Sequence, residues 1–404
     1  MKYDRGFTTL NPWGRGMNNK ASARALPEEV VRNAVNVDFR TDGDISCRQG
    51  YTKSYSGVGV HSGFTCAAGA YFVEGGVLKK FSADNNHTTI LSGVTGPCNY
   101  CCADGELFVS DGTTAWRDGA VWGLPVPTEP VVSVTTDGGI GRGQIMVAFT
   151  FVTATGAESG AGTVAVVPSL GDSSLNFPQI PLPSDSRVTT VRVYASLPDG
   201  EVLYRCADLP AGSIDVTISA VQDSGMELAT EGRAAPPAGG IIRKFSGRMY
   251  VAVDDLLWYT DPFALDLVDM RSNVVRFPGT IKIVEAVAGG LWVVADRTFF
   301  LAGAGPEDFV QREMLSYGAL AGNAVVLPSK EVMWYSERGI IVAGNGELKN
   351  IQEKNVAADT GESCSVSLRE IAGIPQAMVS IRDPQVSRLA ASDFFDAEVI
   401  RRGA

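Results

Sequence analysis

The residues able to do chemistry on a substrate are few and poorly spaced for it. Two histidines occur in 404 residues, His61 in Gly59-Val60-His61-Ser62-Gly63 and His87 in Asn85-Asn86-His87-Thr88. A hydrolytic triad needs a Ser or Cys, a base and an acid within hydrogen-bond reach. Neither histidine sits in such a motif, and no Gly-x-Ser-x-Gly elbow is present, so both read as loop residues. Paired carboxylates can cleave a glycosidic bond, but Asp254-Asp255, Asp296 and Glu337 fall at turns, where an Asp side chain caps its own backbone. Gly138-Gly139-Ile140-Gly141-Arg142-Gly143 has the glycines of a phosphate loop without the Gly-Lys-Ser/Thr ending or a helix to follow. It reads as the flexible start of the domain that follows it. Asp42-Gly43-Asp44 and Asp254-Asp255 lack calcium-loop spacing.

Seven cysteines are dispersed as Cys47, Cys66, Cys98, Cys101, Cys102, Cys206 and Cys364. A structural zinc site takes four ligands, usually from two Cys-x-x-Cys pairs; here Cys98-Asn99-Tyr100-Cys101 has no second pair, and it reads as a strand with alternating buried thiols. The expectation is no catalytic, cofactor-binding or metal-binding residue, and no enzyme.

The elements that would position any site are short strands. From about 45 to 123, runs such as Gly69-Ala70-Tyr71-Phe72-Val73 and Gly105-Glu106-Leu107-Phe108-Val109-Ser110 end at Gly-Gly or Asp-Gly pairs, which supply the positive φ that tight hairpins need. The cadence returns after 240, in 247–253, 256–260, 290–295, 298–301, 331–336, 338–342 and 346–348. The unit is 35–45 residues long, as in a β-propeller blade. Two units precede 123 and three follow 240, with a further strand or two expected from 374–404. The expected fold is all-β: a five- or six-bladed propeller-like domain. An irregular β-sandwich built from the same hairpins is the alternative.

The middle is different. Leu124-Pro125-Val126-Pro127-Thr128-Glu129-Pro130 opens it and Ala234-Ala235-Pro236-Pro237 closes it; proline stiffens linkers and interrupts strand pairing. Between them, Gln144–Val152 and Thr189–Ser196 alternate in polarity, and about 110 residues of short strands is the size of a fibronectin-like β-sandwich. The expected organisation is residues 1–44 as an N-terminal arm and hairpin, 45–123 as the first part of the propeller, 124–237 as the inserted sandwich, and 238–404 as the second part with a closing strand. The arm is expected to carry a short helix near Pro27 to Val31.

Bulk properties limit the function further. The 45 glycines exceed the typical ~7% usage and, being scattered between apolar runs, mark turns. The net charge of −11 makes the chain a poor binder of phosphate backbones and anionic membranes; it gives solubility, or an acidic wall along which DNA slides without sticking. No run of 18 apolar residues predicts a transmembrane helix, and no secretory signal is evident, so assembly in a reducing cytosol is expected.

Residues 16–52 carry a recognisable pattern: Gly16-Met17-Asn18-Asn19, Leu26-Pro27, Arg32-Asn33-Ala34-Val35-Asn36-Val37-Asp38, Gly43-Asp44-Ile45 and Arg48-Gln49-Gly50. The order and spacing resemble the N-terminal segment of the tail hub or nozzle proteins of short-tailed bacteriophages. The middle adds Thr150-x-Val152-Thr153-x-x-Gly156-x-Glu158-Ser159 and Val191-Arg192-Val193-Tyr194, which resemble strands of the sandwich inserted in many phage tail proteins of this class. The segment 387–401 resembles their C-terminal ending and is expected to close the ring.

The resemblance implies a structural virion protein. It would form a homo-oligomeric ring, commonly a hexamer, beneath the portal and adaptor. It would extend the channel for double-stranded DNA without binding it tightly, retain packaged DNA and open for ejection. Asn18, Asn19, Arg32, Asn36, Asp38, Arg48 and Gly50 are the signature positions, with roles in assembly or in a local hairpin. The arm's basic residues, Arg5, Arg15, Lys20, Arg24, Arg32, Arg40 and Arg48, are either ordinary surface charge or face an acidic partner surface, such as another copy or an upstream portal or adaptor ring. The alternatives are a carbohydrate-binding or glycan-cleaving propeller acting as a receptor-binding tail component, and a free propeller acting as a protein-interaction scaffold.

Overall fold

A computed structural model describes residues 15–382, apart from 28, 35, 36, 40–44, 49, 51–54, 83–85, 224, 360, 372 and 373. Asn36, the turn Asp42-Gly43-Asp44 and the expected closing segment 387–401 lie outside the described residues. The fold is all-β and propeller-like. Five four-stranded antiparallel meanders account for most of the described strands, two of them before 123 and three after 240. The chain divides into two compact units, 58–277 and 1–57 with 278–404.

In the unit 58–277, three meanders span 61–92, 99–121 and 241–276. Their hairpins close on the turn residues that mark them in the sequence. Gly75-Gly76, Asp104-Gly105, Asp118-Gly119 and Ser246-Gly247 all have positive φ at both positions, the geometry whose twist matches flanking strands. Side chains alternate between faces along a strand, so the middle meander buries both. Tyr100, Leu107, Val109 and Trp116 pack with Tyr71, Val73, Leu78 and Leu91 of the first. Cys101, Phe108 and Ala115 face the other way, onto Ile242, Met249 and Val251 of the third. Asn99 Oδ1 accepts from the Ile242 amide at 3.2 Å and the Arg243 guanidinium at 2.7 Å. Arg117 grips Asp266 with 2.8 and 2.7 Å bonds. The second and third meanders are therefore direct neighbours, although about 120 residues separate them in sequence.

Those intervening residues form one five-stranded sheet in the order Leu203–Pro210, Val188–Ser196, Val131–Thr153, Ala165–Gln179, Val216–Ile218. The long strand Val131–Thr153 pairs over 131–147 with Ala165–Gln179, with register shifts between Val131 and Ser133 and between Thr135 and Arg142, and over 147–153 with Val188–Ser196. Bulges bend a strand and sharpen its twist. The sheet folds over, so Phe149 and Phe177, from its two ends, meet at 5.4 Å in a core with Ile145, Phe151, Leu175, Val191 and Val193. The expected two layers are thus made by one continuous sheet. The glycine run 138–143 lies inside the long strand, not in a flexible lead-in. A side chain at Gly138 would meet Ser174 Oγ at 2.2 Å, which explains why the strand needs glycine there.

In the other unit, meanders span 283–315 and 325–350. Trp292, Phe300, Trp334 and Ile341 form their shared core, with Trp292 at 4.6 Å from Phe300 and 6.0 Å from Trp334. The opposite face of the second meander, with Met333, Tyr335, Ile340 and Val342, is covered by Cys364, Val366 and Leu368 of a long hairpin. That hairpin pairs Ser363–Ile371 with Ile374–Arg382 and is joined in parallel by Ala321–Gly322. Asn323 ties it further, exchanging two 2.7 Å bonds with the Val366 backbone.

Candidate functional site

The signature segment belongs to the unit formed by 1–57 and 278–404. Its hairpin pairs Val37–Phe39 with Ile45–Cys47 in the register Val37–Cys47, Asp38–Ser46, Phe39–Ile45. Among the described residues of 27–31 no helix forms. The Val30 amide closes a turn on the Pro27 carbonyl at 3.1 Å, and the one helical turn among the described residues is the 3-10 turn Ala23–Ala25. Val31 instead makes a parallel bridge with Met17, through Asn18 N to Val31 O at 2.8 Å and Val31 N to Gly16 O at 3.0 Å.

Asn18 first organises its own turn: its Oδ1 accepts from the Lys20 and Ala21 amides at 3.1 and 3.0 Å, an Asx turn. Its Nδ2 then donates to Asn355 Oδ1 at 3.4 Å. The Asn19 amide donates to the Asn355 carbonyl at 3.0 Å, and Asn19 Oδ1 accepts from the Ala357 amide at 2.8 Å. Lys20 Nζ donates to the Glu353 carbonyl at 2.6 Å. The arm is thus stitched to the turn at 352–357 of its own chain.

Asp38 is the second anchor. Both of its oxygens accept from Arg369 Nη2 at 2.8 Å, and Oδ1 is 3.4 Å from Arg48 Nε. Arg369 in turn donates from Nε to Gln376 across the long hairpin at 2.8 Å. Arg32 and Gly50 are exposed. The structure therefore brings Asn18 and Asn19 onto the turn 352–357 and Asp38 onto the hairpin 363–382, sets Arg48 beside Asp38, and leaves Arg32 and Gly50 on the surface. Asn355, Ala357 and Arg369, which complete these joints, carry no local sequence signal. Of the arm's basic residues, Arg15 pairs with Glu29 at 3.0 Å; Lys20 and Arg48 are used as above.

The candidate chemical groups are dispersed. His61 Nδ1 lies 2.8 Å from the adjacent Ser62 Oγ, whose oxygen accepts from the Cys98 amide at 2.8 Å. His87 is exposed on a strand. Asp255 pairs with Arg276 at 2.7 Å, Asp296 lies 3.7 Å from Lys282, and Glu337 is exposed. Among the described residues no group of three or more His, Cys, Asp or Glu is placed to hold a metal ion. Of the cysteines, Cys101 and Cys364 are buried, Cys47 is exposed and the others are half-buried.

The two motifs of the inserted domain meet. Glu158 Oε1 accepts from Thr150 Oγ1 at 2.5 Å and from the Tyr194 hydroxyl at 2.8 Å, while Oε2 takes Arg192 Nη1 at 2.7 Å. Arg192 Nε also bonds Asp208 at 2.9 Å. Burial, reinforced by Glu158, pushes the Tyr194 hydroxyl up to about 12, so it stays a donor. Ser159 Oγ accepts from the Phe151 amide at 2.9 Å and donates to the Gly160 carbonyl. The motif residues thus fasten a turn to a sheet.

No protein-family model matches the chain, and no curated protein matches it. Among solved structures, it is similar to the WD40 β-propeller domain of Doa1, with 10% identity over 75% of this chain and 84% of that one, at a TM-score of 0.28. It is similar to BBS1N, solved in complex with ARL6DN, with 10% identity over 82% and 93% at a TM-score of 0.33. The CNH domain of AfRom2 matches with 10% identity over 76% and 93% at a TM-score of 0.24.

Proposed function

We propose that this chain is a structural component of the tail of a short-tailed bacteriophage, a hub or nozzle protein. It assembles as a homo-oligomeric ring, a hexamer, beneath the portal and adaptor. There it extends the DNA channel, retains packaged DNA and opens for ejection; it is made in the host cytoplasm and carried in the virion. It is not an enzyme.

The observation that carries this reading is the use made of the signature residues. Asn18, Asn19 and Asp38 join the N-terminal segment to residues 337, 338 and 331 positions later. The pattern that resembles phage tail proteins is therefore spent on architecture. The charge of −11 supports a channel protein that passes DNA without holding it. Rings arise when one head-to-tail contact repeats and closes by rotation.

Native mass spectrometry of the full purified chain, alone and with the adaptor, tests the proposal. A closed oligomer of six copies is expected in at least one condition. A monomer in both, at all concentrations, overturns it.

A further inference from the structure

The first strands of the first two meanders, His61–Cys66 and Asn99–Ala103, lie side by side, the first being irregular at 62–63 and regular from Phe64 on. The Cys98 amide bonds Ser62 Oγ, 36 positions earlier, at 2.8 Å. Phe64 and Tyr100 stack at 4.9 Å with their rings 6° from parallel, and the Tyr100 hydroxyl donates to the Ser62 carbonyl at 2.8 Å. Continuing in steps of two along both strands, the next facing pair is Cys66 and Cys102, on the strand faces that carry Phe64 and Tyr100. Both are half-buried, whereas Cys101, on the opposite face of its strand, is buried. Two thiols fall short of the four ligands of a structural zinc site.

We propose that Cys66 and Cys102 are a redox pair that closes into a disulfide between the two meanders when the protein meets an oxidising environment. With a disulfide such as oxidised glutathione as oxidant, one thiolate attacks its S–S bond, forming a mixed disulfide and releasing one reduced glutathione. The second thiolate then displaces the second glutathione and forms the Cys66–Cys102 bond. Two protein thiols are oxidised, one glutathione disulfide is reduced, and two protons pass to the leaving thiols. The bond would pin the ends of two strands already held in register, limiting the freedom of the unfolded chain across the intervening loop. In a reducing cytosol the pair stays open. Burial raises the pKa of the Cys102 thiol, so closure is expected to quicken as pH rises.

The test is oxidation of the folded full-length protein with oxidised glutathione, followed by non-reducing peptide mapping and thermal melting. A peptide linking Cys66 to Cys102 is expected, with a melting temperature raised by several degrees that falls back on reduction. Cys66→Ala and Cys102→Ala should each abolish the linked peptide and the rise. Recovery of Cys66 and Cys102 as free thiols or separate glutathione adducts, under conditions that modify the exposed Cys47, overturns the proposal.

Discussion

Arg369 holds both carboxylate oxygens of Asp38 at 2.8 Å across 331 residues of sequence. Each side chain is only about one-seventh exposed, at 15% and 14%. A hydrogen-bonded charge removed from such a site leaves its partner desolvated and unpaired, so Asp38→Ala is expected to cost about 2 kcal/mol. The loss should be local: limited proteolysis should cut near 37–48 faster than elsewhere. Arg369→Lys should show most of the same effect, because a single ammonium cannot hold Asp38 and Gln376 at once as Nη2 and Nε of the planar guanidinium do. Unchanged cleavage in both variants would remove the anchor from the account.

Asp111 should give the clearest pH signature. Burial alone would raise its pKa, but hydrogen bonds from the Thr95, Thr113 and Thr114 amides and from the Thr95 and Thr113 hydroxyls, all within 2.9 Å, outweigh it and hold the carboxyl well below the usual range. A folded pKa below the unfolded one means the stabilisation is full above the unfolded value and fades as pH falls toward the folded one. Asp111→Asn is therefore expected to be about 2 kcal/mol less stable than wild type at pH 7. The gap should narrow once pH drops below about 4. Urea titrations at pH 7 and pH 3 check this, and a gap independent of pH would contradict it.

Two tryptophans in one core should respond unequally to the same change. Trp292 Nε1 donates to the Gly344 carbonyl at 2.8 Å. Trp334 Nε1 is buried with no hydrogen-bond partner. Trp292→Phe loses volume and strands a carbonyl, for about 3 kcal/mol in all. Trp334→Phe loses similar volume but removes an unpaired donor, so its net cost should be about 1 kcal/mol or less. Equal losses in denaturant melts would show that the indole N–H of Trp334 is satisfied in solution.

Glu158→Gln probes the inserted domain. It keeps the shape but withdraws the charge from Arg192 and puts an NH2 group among the donors Thr150 and Tyr194. A destabilisation of about 2 kcal/mol is expected, with hydrogen exchange accelerated at 147–158 and 190–194. Exchange unchanged in those strands would make the network dispensable.

Short-range features of this fold are legible in the sequence. Gly75-Gly76, Asp104-Gly105 and Asp118-Gly119 announce hairpins because each fixes a local backbone geometry. Alternation in Val191, Val193 and Ala195 announces a strand with one buried face. What is not legible depends on distant partners. The glycines at 138–143 look like a loop, and only the packing of Ser173 and Ser174 against them makes them strand. Asn18 has no local hint of Asn355, and Glu158 none of Arg192, because sequence separation carries no signal about contact. The proposed Cys66–Cys102 pairing lies between these cases: its 36-residue offset equals one meander repeat, as do the Ser62–Cys98 and Phe64–Tyr100 contacts, but only the side-by-side strands turn that offset into a facing pair.

The central claim, a proposal, is that this chain forms a ring on a virion tail. Cryo-electron microscopy of intact particles from the source tests it most directly. The account predicts this chain in a closed ring on the tail axis, with Asn18 on Asn355 and Asp38 on Arg369 in every copy. Particles that lack the chain, or carry it away from the axis as isolated monomers, would contradict it.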